Sequence, residues 1–397
     1  MKRYAVIFRD IGNYHAARLG SVSKNTNFEL NIVEVTSNSG FEAFRANAKE
    51  RNNLSIYSLG SRGTVDFSKV STPLRTMLAK LRPDAVFIPG WSMVESLVAL
   101  GWCVDTGTPA IVMSASTQHD FKRQRLKEFV KRRVLRAARA AIVGGNAQGD
   151  YLQALGLPKE QIFFGYNTVD NSYFSTGADR ARADERSQRA RLSLPDRYIF
   201  CASRLVEKKN LFRLLDAYNK YFAQAGDDPS SLVIAGPGHL HDALNEKIIK
   251  LGLDQEVHLL GAVKYADMAI CYGLAEALIL PSTIEQWGLV VNEAMASGLP
   301  ILISNRCGCV PELIIEGRNG LIFDPFETET ISESIKLLMS ASCDRKQMGQ
   351  ESREIIKDWD LGRFATGFEA AAERAIATKK NPLSWFDRLL IYGLARL

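Results

Sequence analysis

The chain has 397 residues and a formal net charge of +6, and 46% of its residues are apolar and 24% charged. This composition is typical of a globular protein, and the length predicts two domains rather than one hydrophobic core. No segment approaches the roughly 18 consecutive apolar residues of a membrane-spanning helix. The first ten residues, MKRYAVIFRD, lack the long apolar stretch of a secretory signal peptide. We therefore expect a cytoplasmic protein.

The six cysteines and five histidines do not form a pattern typical of a metal site. Cys307 and Cys309 lie in a CGC string, but no neighbouring cysteine or histidine completes a set of four ligands. Cysteines of a cytoplasmic chain are expected to remain thiols. We therefore expect no bound metal, and thiols rather than disulfides.

Short apolar segments typical of buried strands alternate with helical patterns along the first part of the chain. The strand candidates are YAVIF (4–8), AVFIP (85–89), AIVM (110–113) and AAIVGG (140–145). An apolar helical pattern covers residues 94–104. Strands that alternate with helices predict a parallel sheet covered by helices on both faces.

The positive charge is concentrated in KRQRLKEFVKRRVLRAAR (122–139), which has nine basic residues and one acidic residue. Because this segment carries +8 and the whole chain +6, the remainder is mildly acidic. Apolar residues recur at helical spacing and predict an amphipathic basic helix: Leu126, Phe129, Val130, Val134 and Ala137. Such a helix is either a solvated face or a surface for anionic lipid or a phosphate-bearing acceptor. No nucleic-acid-binding motif accompanies it, so we expect no nucleic-acid partner.

A second series of strand candidates follows a polar, charged segment at residues 175–196 that is typical of a linker. Its members are RYIFCAS (197–203), SLVIAG (231–236), EVHLLG (256–261), EALILPS (276–282), LPILIS (299–304) and GLIFD (320–324). We predict an N-terminal domain over 1–175, a linker over 176–196, a C-terminal domain over 197–360 and a terminal helix with its tail over 361–397. Each domain is expected to be a doubly wound α/β fold, with a ligand in the cleft between them.

The segment IEQWGLVVNEAMASGLP (284–300) contains two glutamates eight positions apart, Glu285 and Glu293. Its pattern predicts a loop after a strand and then a helix that ends at Gly298. The first N–H groups of that helix suit a phosphate, and carboxylates on either side suit hydroxyl groups. A nucleotide-sugar has this order of sugar, diphosphate and ribose. The alternative is that Glu285 caps the helix and Glu293 is solvated.

Two other loops also favour an anionic ligand. ASRLVEKKN (202–210) follows a strand and contains Arg204 and Lys209. Cations at the start of a helix are unfavourable unless an anion shares the site, and a diphosphate would be neutralised by this pair. LVIAGPG (232–238) adds Gly236 directly after another strand.

Six strings in the C-terminal half occur in one order: RLVEKK, AGPG, the Glu285–Glu293 pair, ASGLPI, VPELI and NGLIFDP. Over about residues 197–330 they resemble the retaining GT-B glycosyltransferases of family four, also called group one. The resemblance implies a GT-B α/β fold with two Rossmann-like domains. In the binding site that it implies, Arg204 and Lys209 stabilise the departing diphosphate, Glu285 binds the sugar and Glu293 the ribose. The nucleotide-contacting residues that it implies are Gly236, Gly288, Leu289 and Val290.

The N-terminal half resembles the family in fewer places. RDIGNYHAARL (9–19) is similar to the glycine loop before the first helix, where Ile11 replaces one of two usual glycines and leaves Gly12 as the binding candidate. MSASTQHD (113–120) is similar to a loop that ends in a histidine near the donor sugar, which implies His119. The alternative for this histidine is a helix cap or a position in the core.

Several positions depart from the family pattern. YNTVDNSYF (166–174) resembles the boundary between the two domains, with Thr168 in place of a glycine. Gln286 and Trp287 replace the usual residues after the first glutamate, and Trp287 either presses on the donor sugar or fills the wall of the site. Cys309 replaces a usual glycine.

By resemblance, the activity is transfer of a hexose-type sugar from a UDP- or GDP-sugar to a lipid-linked or other saccharide acceptor in polysaccharide biosynthesis. The anomeric configuration is retained, the departing phosphate takes the acceptor proton, and no metal or other cofactor takes part. Asp358-Trp359-Asp360 is the only string of the metal-binding Asp-x-Asp type, and its position favours a helix boundary. The alternatives are an epimerase or phosphorylase on the same fold, or a non-catalytic protein that binds sugar nucleotides.

The tail NPLSWFDRLLIYGLARL (381–397) combines bulky apolar residues with Arg388 and Arg396. Such a tail either packs back on the N-terminal domain or anchors the protein at a membrane surface. Together with the basic helix, it predicts reversible attachment to the inner, anionic face of the cell membrane.

Overall fold

The computed structural model describes residues 1–36, 52–61, 65–120, 123–226, 229–379 and 382–396. The first unit contains Met1–Thr168 and Leu361–Leu397, and the second unit contains Val169–Asp360. The first boundary lies inside the YNTVDNSYF string. The second follows Asp358-Trp359-Asp360 directly, and this string separates two helices as predicted.

Seven parallel strands form the sheet of the first unit: β1 (Lys2–Phe8), β2 (Phe28–Thr36), β3 (Leu54–Ser61), β4 (Ala85–Pro89), β5 (Ala110–Ser114), β6 (Ala140–Val143) and β7 (Ile162–Phe164). Their order is β3-β2-β1-β4-β5-β6-β7. The described residues between these strands form the helices α1 (Asn13–Val22), α2 (Phe67–Leu81), α3 (Val94–Thr106), α4 (Arg125–Leu135) and α5 (Asn146–Ala154). The predicted basic helix is α4, and Lys122 of that segment lies outside the described residues.

Six parallel strands form the sheet of the second unit: β8 (Tyr198–Ala202), β9 (Ser231–Ala235), β10 (Val257–Gly261), β11 (Ala277–Leu280), β12 (Ile301–Ser304) and β13 (Gly320–Phe323). Their order is β10-β9-β8-β11-β12-β13. The helices of this unit are α6 (Asn171–Ala183), α7 (Glu185–Leu192), α8 (Leu211–Phe222), α9 (His241–Leu251), α10 (Tyr265–Gly273), α11 (Leu289–Ala296), α12 (Val310–Leu313), α13 (Thr328–Met339) and α14 (Arg345–Ile356).

The segment predicted as a linker forms most of α6 and α7 and belongs to the second unit. A Cβ at Gly273 of α10 would lie 2.7 Å from the Cα of Ala178, so small residues bring the backbones of α6 and α10 close together. The charged side chains pair: Arg182 with Asp179 at 3.0 Å, Arg189 with Glu185 at 2.7 Å and Arg191 with Asp267 at 2.8 Å. In α6 the scarcity of large apolar residues therefore reflects close packing against α10, whereas α7 has no buried residue.

Two helices after residue 360 return to the first unit: α15 (Leu361–Ala377) and α16 (Trp385–Arg396). On one face of the sheet, the ring of Phe368 in α15 stacks on Phe87 with 3.7 Å between centroids. On the other face, Ile391 of α16 is buried among residues of α2 and α3. Asn381 and Leu397 of the tail lie outside the described residues. Within the described ranges, no helix combines the length and apolar character that crossing a bilayer requires.

Candidate active site

Loops at the carboxyl ends of β8 and β9 are joined backbone to backbone. The N–H of Ser203 donates to the carbonyl of Ala235 at 2.9 Å, and the N–H of Leu205 donates to the carbonyl of Pro237 at 2.9 Å. Gly236 has a φ of +146°, and a Cβ there would overlap the carbonyl of Ser203. Because only glycine fits this approach, Gly236 fixes the position of the loop that carries Arg204.

Arg204 and Lys209 differ in their surroundings although they share this loop. Arg204 is exposed, and its side chain makes no hydrogen bond or ion pair to any residue that the structure describes. Lys209 is buried, and its ammonium group pairs with the carboxylate of Glu285. Lys209, predicted to bind the diphosphate, and Glu285, predicted to bind the sugar, therefore neutralise each other in the unliganded protein.

Asn210 is a functional candidate that sequence reasoning missed. It has a φ of +60°, and its side-chain amide donates to the carbonyls of Pro281 at 3.2 Å and Pro325 at 2.7 Å. It therefore links the loop after β8 to those after β11 and β13. The available signal was an asparagine, which tolerates the left-handed conformation, at the start of a predicted helix.

Glu285 lies in the loop between β11 and α11. The N–H of Gly308 donates to its carbonyl at 2.9 Å, so the loop after β12 supports its backbone. The side chain contacts Lys209 rather than the end of the helix, so the alternative prediction that Glu285 caps α11 is wrong. Burial raises the pKa of the Cys307 and Cys309 thiols, and the charge of Glu285 raises both further. These cysteines are therefore protonated, inert neighbours of the site.

The helix α11 begins at Leu289, inside the segment where the sequence predicted a loop followed by a helix. Gly288 precedes it with a φ of +99°, a left-handed conformation that favours glycine. Leu289 and Val290 form the first turn, in which N–H groups lack carbonyl partners within the helix and carry a partial positive charge. The loop of Glu285, with which Lys209 pairs, therefore leads to a helix start that is suited to a phosphate.

Glu293 lies inside the second unit and is only 2% exposed. It accepts a hydrogen bond of 2.6 Å from the hydroxyl of Tyr272, a buried residue of α10. The alternative prediction of a solvated Glu293 is therefore wrong. The charge of Glu293 adds to burial in raising the pKa of the neighbouring Tyr265.

Trp287 is also buried, and its indole N–H donates to the side chain of Asn292 at 2.8 Å. The centroid of its ring lies 5.2 Å from the ring centroid of Trp359. Of the two predicted alternatives, the structure supports the one in which Trp287 fills the wall.

The candidates of the first unit lie in less constrained loops. Gly12 precedes α1 with a φ of −89°, and a Cβ there would meet no atom within 4 Å. Ile11 is fully buried, and its N–H donates to the carboxylate of Glu34 at 3.0 Å. The position where the family has a second glycine is therefore part of the core.

His119 is exposed on a turn after β5. Asp120 closes this turn by accepting hydrogen bonds from the hydroxyl of Thr117 at 2.6 Å and from its N–H at 2.9 Å. The next helix, α4, is preceded by Gln124 as its N-cap. The alternative prediction of a helix-cap or core histidine is therefore wrong.

The described residues contain no group of three or more histidine, cysteine, aspartate or glutamate side chains that could hold a metal ion. All six cysteines are free thiols.

Two family models match the chain in succession. Residues 45–168 match the glycosyl transferase 4-like domain, and residues 183–355 match the glycosyl transferases group 1. The D-inositol 3-phosphate glycosyltransferase of Corynebacterium glutamicum is 27% identical over 217 residues, which are 53% of this chain and 51% of that protein. The glycogen synthase of Mycobacterium tuberculosis is 24% identical over 304 residues, 76% of this chain and 70% of that protein. The chain thus spans about half the length of the first of these relatives.

Solved structures share the fold over nearly the whole chain. Anabaena HepE in complex with UDP and glucose has a TM-score of 0.73 at 15% identity, covering 93% of this chain and 98% of HepE. A glycosyltransferase of Rickettsia africae has a TM-score of 0.75 at 13% identity, covering 95% and 99%. The predicted GT-B fold of two Rossmann-like domains is therefore confirmed.

Proposed function

We propose that this chain, which matches the glycosyl transferase 4-like domain and then the glycosyl transferases group 1, transfers a hexose from a UDP- or GDP-sugar with retention of the anomeric configuration. The UDP and glucose bound to the similar HepE structure support this class of donor. The acceptor that we propose is a hydroxyl group of a lipid-linked saccharide or a similar saccharide, in the biosynthesis of a cell-surface polysaccharide on the cytoplasmic side of the membrane.

The observation that carries this proposal is the pairing of Lys209 with Glu285 beside the start of α11. A nucleotide-sugar brings an anion for the lysine and hydroxyl groups for the glutamate, so each side chain exchanges its present partner for a part of the donor. Arg204 lies on the same loop as Lys209 and has no competing partner among the described residues. We infer that these two cations bind the diphosphate.

In the proposed reaction, the bond between the anomeric carbon and the diphosphate oxygen breaks while the acceptor oxygen bonds to that carbon. Charge develops on the departing diphosphate, and Arg204, Lys209 and the N–H groups of Gly288 and Leu289 stabilise it. The acceptor hydroxyl gives its proton to the departing phosphate. These groups supply the stabilisation that a metal ion would otherwise provide, so we propose a metal-independent transfer.

The remaining predicted residues complete the proposal. Glu293 is proposed to bind the ribose, and Gly236 and Val290 to contact the nucleotide. From the first unit, Gly12 and the exposed His119 are proposed to contribute to donor binding and sugar transfer.

A donor panel read out by nucleotide release tests this function. The chain is incubated with UDP- and GDP-hexoses, a membrane extract and a metal chelator, and radiolabelled products are separated. Transfer of sugar to lipid or saccharide supports the proposal, whereas a free epimer, a sugar phosphate or no turnover would favour the alternative activities. Lys208→Ala is a matched control for Lys209→Ala, because its side chain makes no hydrogen bond or ion pair with the described residues.

We propose that a face formed by α4 and α16 attaches the protein to an anionic membrane. Leu126, Phe129, Trp385 and Leu389 are 75%, 46%, 76% and 58% exposed on these two helices. The rings of Phe129 and Phe386 lie 6.4 Å apart and join the helices. Such an apolar patch with basic residues beside it is typical of an interfacial surface.

Not all basic residues of this face are free to bind lipid. Arg133 forms a 2.7 Å ion pair with the buried Asp387, and Lys131 pairs with Glu128 at 2.8 Å. The exposed cations without partners among the described residues are Arg125, Lys127 and Arg132. At about 1 kcal/mol for each basic residue near the lipid, these three provide appreciable binding.

Sedimentation with vesicles tests this attachment. Wild-type protein should bind anionic vesicles at low salt and be released by salt, because screening weakens the attraction. Replacing Arg125, Lys127 and Arg132 by Glu should abolish binding, whereas the same replacement at the exposed Lys24, Lys80 and Lys159 should not. Absence of wild-type binding would make a dissolved acceptor the better proposal.

A further inference from the structure

A cavity of about 590 Å³ lies in the second unit near the C-terminal end of α11. Its lining includes Ala275 and Glu276, which precede β11, and Leu299 and Pro300, which precede β12. It therefore lies at the amino ends of the parallel strands, whereas the candidate active-site loops follow their carboxyl ends. The proposed donor chemistry does not use this cavity.

Positive charge dominates the lining of this cavity. Four cationic side chains contribute, from α6 and α14: Arg182, Arg345, Lys346 and Arg353. Two acidic groups also contribute to the lining: Asp344 caps α14 by accepting the N–H of Gln347 at 2.9 Å, and Glu276 pairs with Arg197 at 3.2 Å and with Arg345 at 3.7 Å. The pairing with Glu276 leaves Arg182, Lys346 and Arg353 as the cations in excess. The cavity therefore presents more positive than available negative charge.

Arg182 and Arg353 compete for the same two acceptors. Both donate to Asp179, at 3.0 and 2.6 Å, and both donate to the carbonyl of Ser297, at 2.6 and 3.3 Å. One carboxylate cannot neutralise two guanidinium groups, and burial together with the charge of Arg353 lowers the pKa of Arg182. The Nε of Arg353 is buried without an acceptor among the described residues. A second anion would relieve this excess of charge.

Lys346 adds a charge that is free to reach a ligand. It is exposed in the first turn of α14, and its side chain forms no hydrogen bond or ion pair with the described part of the chain. The cavity thus combines two guanidinium groups fixed by the fold with one adaptable ammonium group, a set suited to the oxygens of a phosphate.

We propose that this cavity binds a small phosphate-bearing ligand, either inorganic phosphate or a phosphorylated sugar, at a site separate from the donor site. The volume accommodates a monosaccharide phosphate. Because Ser297 ends α11, whose first turn belongs to the candidate active site, a ligand that draws Arg182 and Arg353 from its carbonyl acts on the same helix. The ligand is therefore a candidate effector of sugar transfer.

Lysine acetylation and thermal unfolding of the full chain test this site. With 10 mM inorganic phosphate against chloride at equal ionic strength, we expect acetylation of Lys346 to slow at least about threefold, as for a site mostly occupied by ligand. Lys250 is a matched control, because it is also exposed without a partner among the described residues, and its acetylation should not change. The unfolding midpoint should rise by about 2 °C.

The test is repeated in the Lys209→Ala variant, where phosphate binding at the donor site is weakened but the proposed site is intact. Persistence of both effects there, loss of both in Arg182→Gln and loss of the midpoint shift in Lys346→Gln support the proposal. Equal acetylation of Lys346 with and without phosphate, or a midpoint shift that survives both substitutions, would overturn it. A hexose phosphate that protects Lys346 at lower concentration than inorganic phosphate identifies the phosphorylated sugar as the ligand, and equal protection identifies phosphate itself.

Discussion

Both units have a glycine loop after a strand, but the fold constrains the two loops differently. In the second unit, Gly236 is held against Ser203 in a conformation that only glycine adopts readily. In the first unit, Gly12 has an ordinary φ and open space around it. The same contrast holds for the side chains, because Lys209 and Glu285 are paired whereas His119 is exposed. The fold therefore fixes the candidate residues of the second unit through contacts within the unit, whereas the candidates of the first unit are less constrained.

The largest effect in this comparison is expected for Gly236→Ala. The Cβ would overlap the Ser203 carbonyl at a φ of +146°, so the loops after β8 and β9 must separate. We expect the free energy of unfolding to fall by at least about 3 kcal/mol. Denaturant unfolding measures this loss, with Gly252→Ala as the control.

Gly252 has a φ of +68° but nothing within 4 Å of its Cβ position. Its replacement should cost only the conformational strain of about 1 kcal/mol. Equal losses in the two variants would show that the contact with Ser203 is not what requires glycine at position 236.

Next in size is the effect of breaking the ion pair between Lys209 and Glu285. Lys209→Ala removes the proposed contact to the departing diphosphate and leaves Glu285 without its partner, so turnover should fall about a hundredfold, or about 3 kcal/mol. Glu285→Ala should cause a similar loss and also reduce stability, because the largely buried Lys209 loses its counter-charge.

The stability of the double variant Lys209→Ala/Glu285→Ala tests the ion pair independently of any effect on turnover. Because each single change leaves one unpaired charge, the destabilisation of the double variant should be smaller than the sum of the two single values. Strict additivity would contradict the pairing of these side chains in the unliganded protein.

Much of the second unit was predictable because its strands are buried on both faces and are continuous apolar runs, such as YIFCA in β8. The strands β2 and β3 lie at one side of the first sheet and include polar residues such as Asn31 and Ser58. They were not predicted, because these polar residues interrupt the apolar runs by which the other strands were identified. The segment with α6 and α7 was mistaken for a linker, because α6 packs through small residues and α7 buries none of its residues, so neither helix has an apolar periodicity.

Side-chain partners across the fold were beyond prediction. The spacing of Glu285 and Glu293 indicated a loop and a helix, but no sequence signal indicates that Tyr272 donates to Glu293 or that Asn210 joins three loops. These contacts connect strands that are distant in the sequence, so they depend on the topology of the sheet. The exposed position of His119 likewise follows from a turn closed by Asp120.

A smaller effect distinguishes the two glutamates. Glu293→Gln should weaken binding of the free nucleoside diphosphate about tenfold, or about 1.4 kcal/mol, because a neutral amide is a weaker acceptor for ribose hydroxyls. Glu285→Gln should lower turnover more than nucleotide affinity. Calorimetric titration with the nucleotide alone, beside turnover measurements, compares the two.

Tyr272→Phe sharpens this assignment. The phenylalanine keeps the buried ring and removes the 2.6 Å hydrogen bond that orients Glu293, so nucleotide affinity should fall about threefold. No further loss is expected when Tyr272→Phe is combined with Glu293→Gln. Equal losses of nucleotide affinity in Glu285→Gln and Glu293→Gln would contradict the division of roles.

The smallest change in stability is expected for Gly12→Ala. Replacing a glycine with negative φ gains about 0.4–1 kcal/mol from a less flexible unfolded chain. Alanine is a poorer N-cap than glycine by a similar amount, so the two terms cancel and the free energy of unfolding should change by less than about 0.5 kcal/mol.

This neutrality makes turnover of Gly12→Ala a direct test of whether the first unit approaches the donor through its glycine loop. A methyl group on a backbone that contacts the nucleotide-sugar keeps the ligand away, so we expect turnover to fall at least about tenfold while stability is unchanged. Gly393→Ala, on α16 and also with nothing within 4 Å of its Cβ position, is the control that should leave turnover unaltered. If Gly12→Ala turns over at the wild-type rate, Gly12 has no part in donor binding. The added methyl group would then occupy open space without meeting the donor. If stability and turnover fall together, the role of Gly12 is structural. The fold would then require glycine at both positions, more strongly at Gly236 than at Gly12.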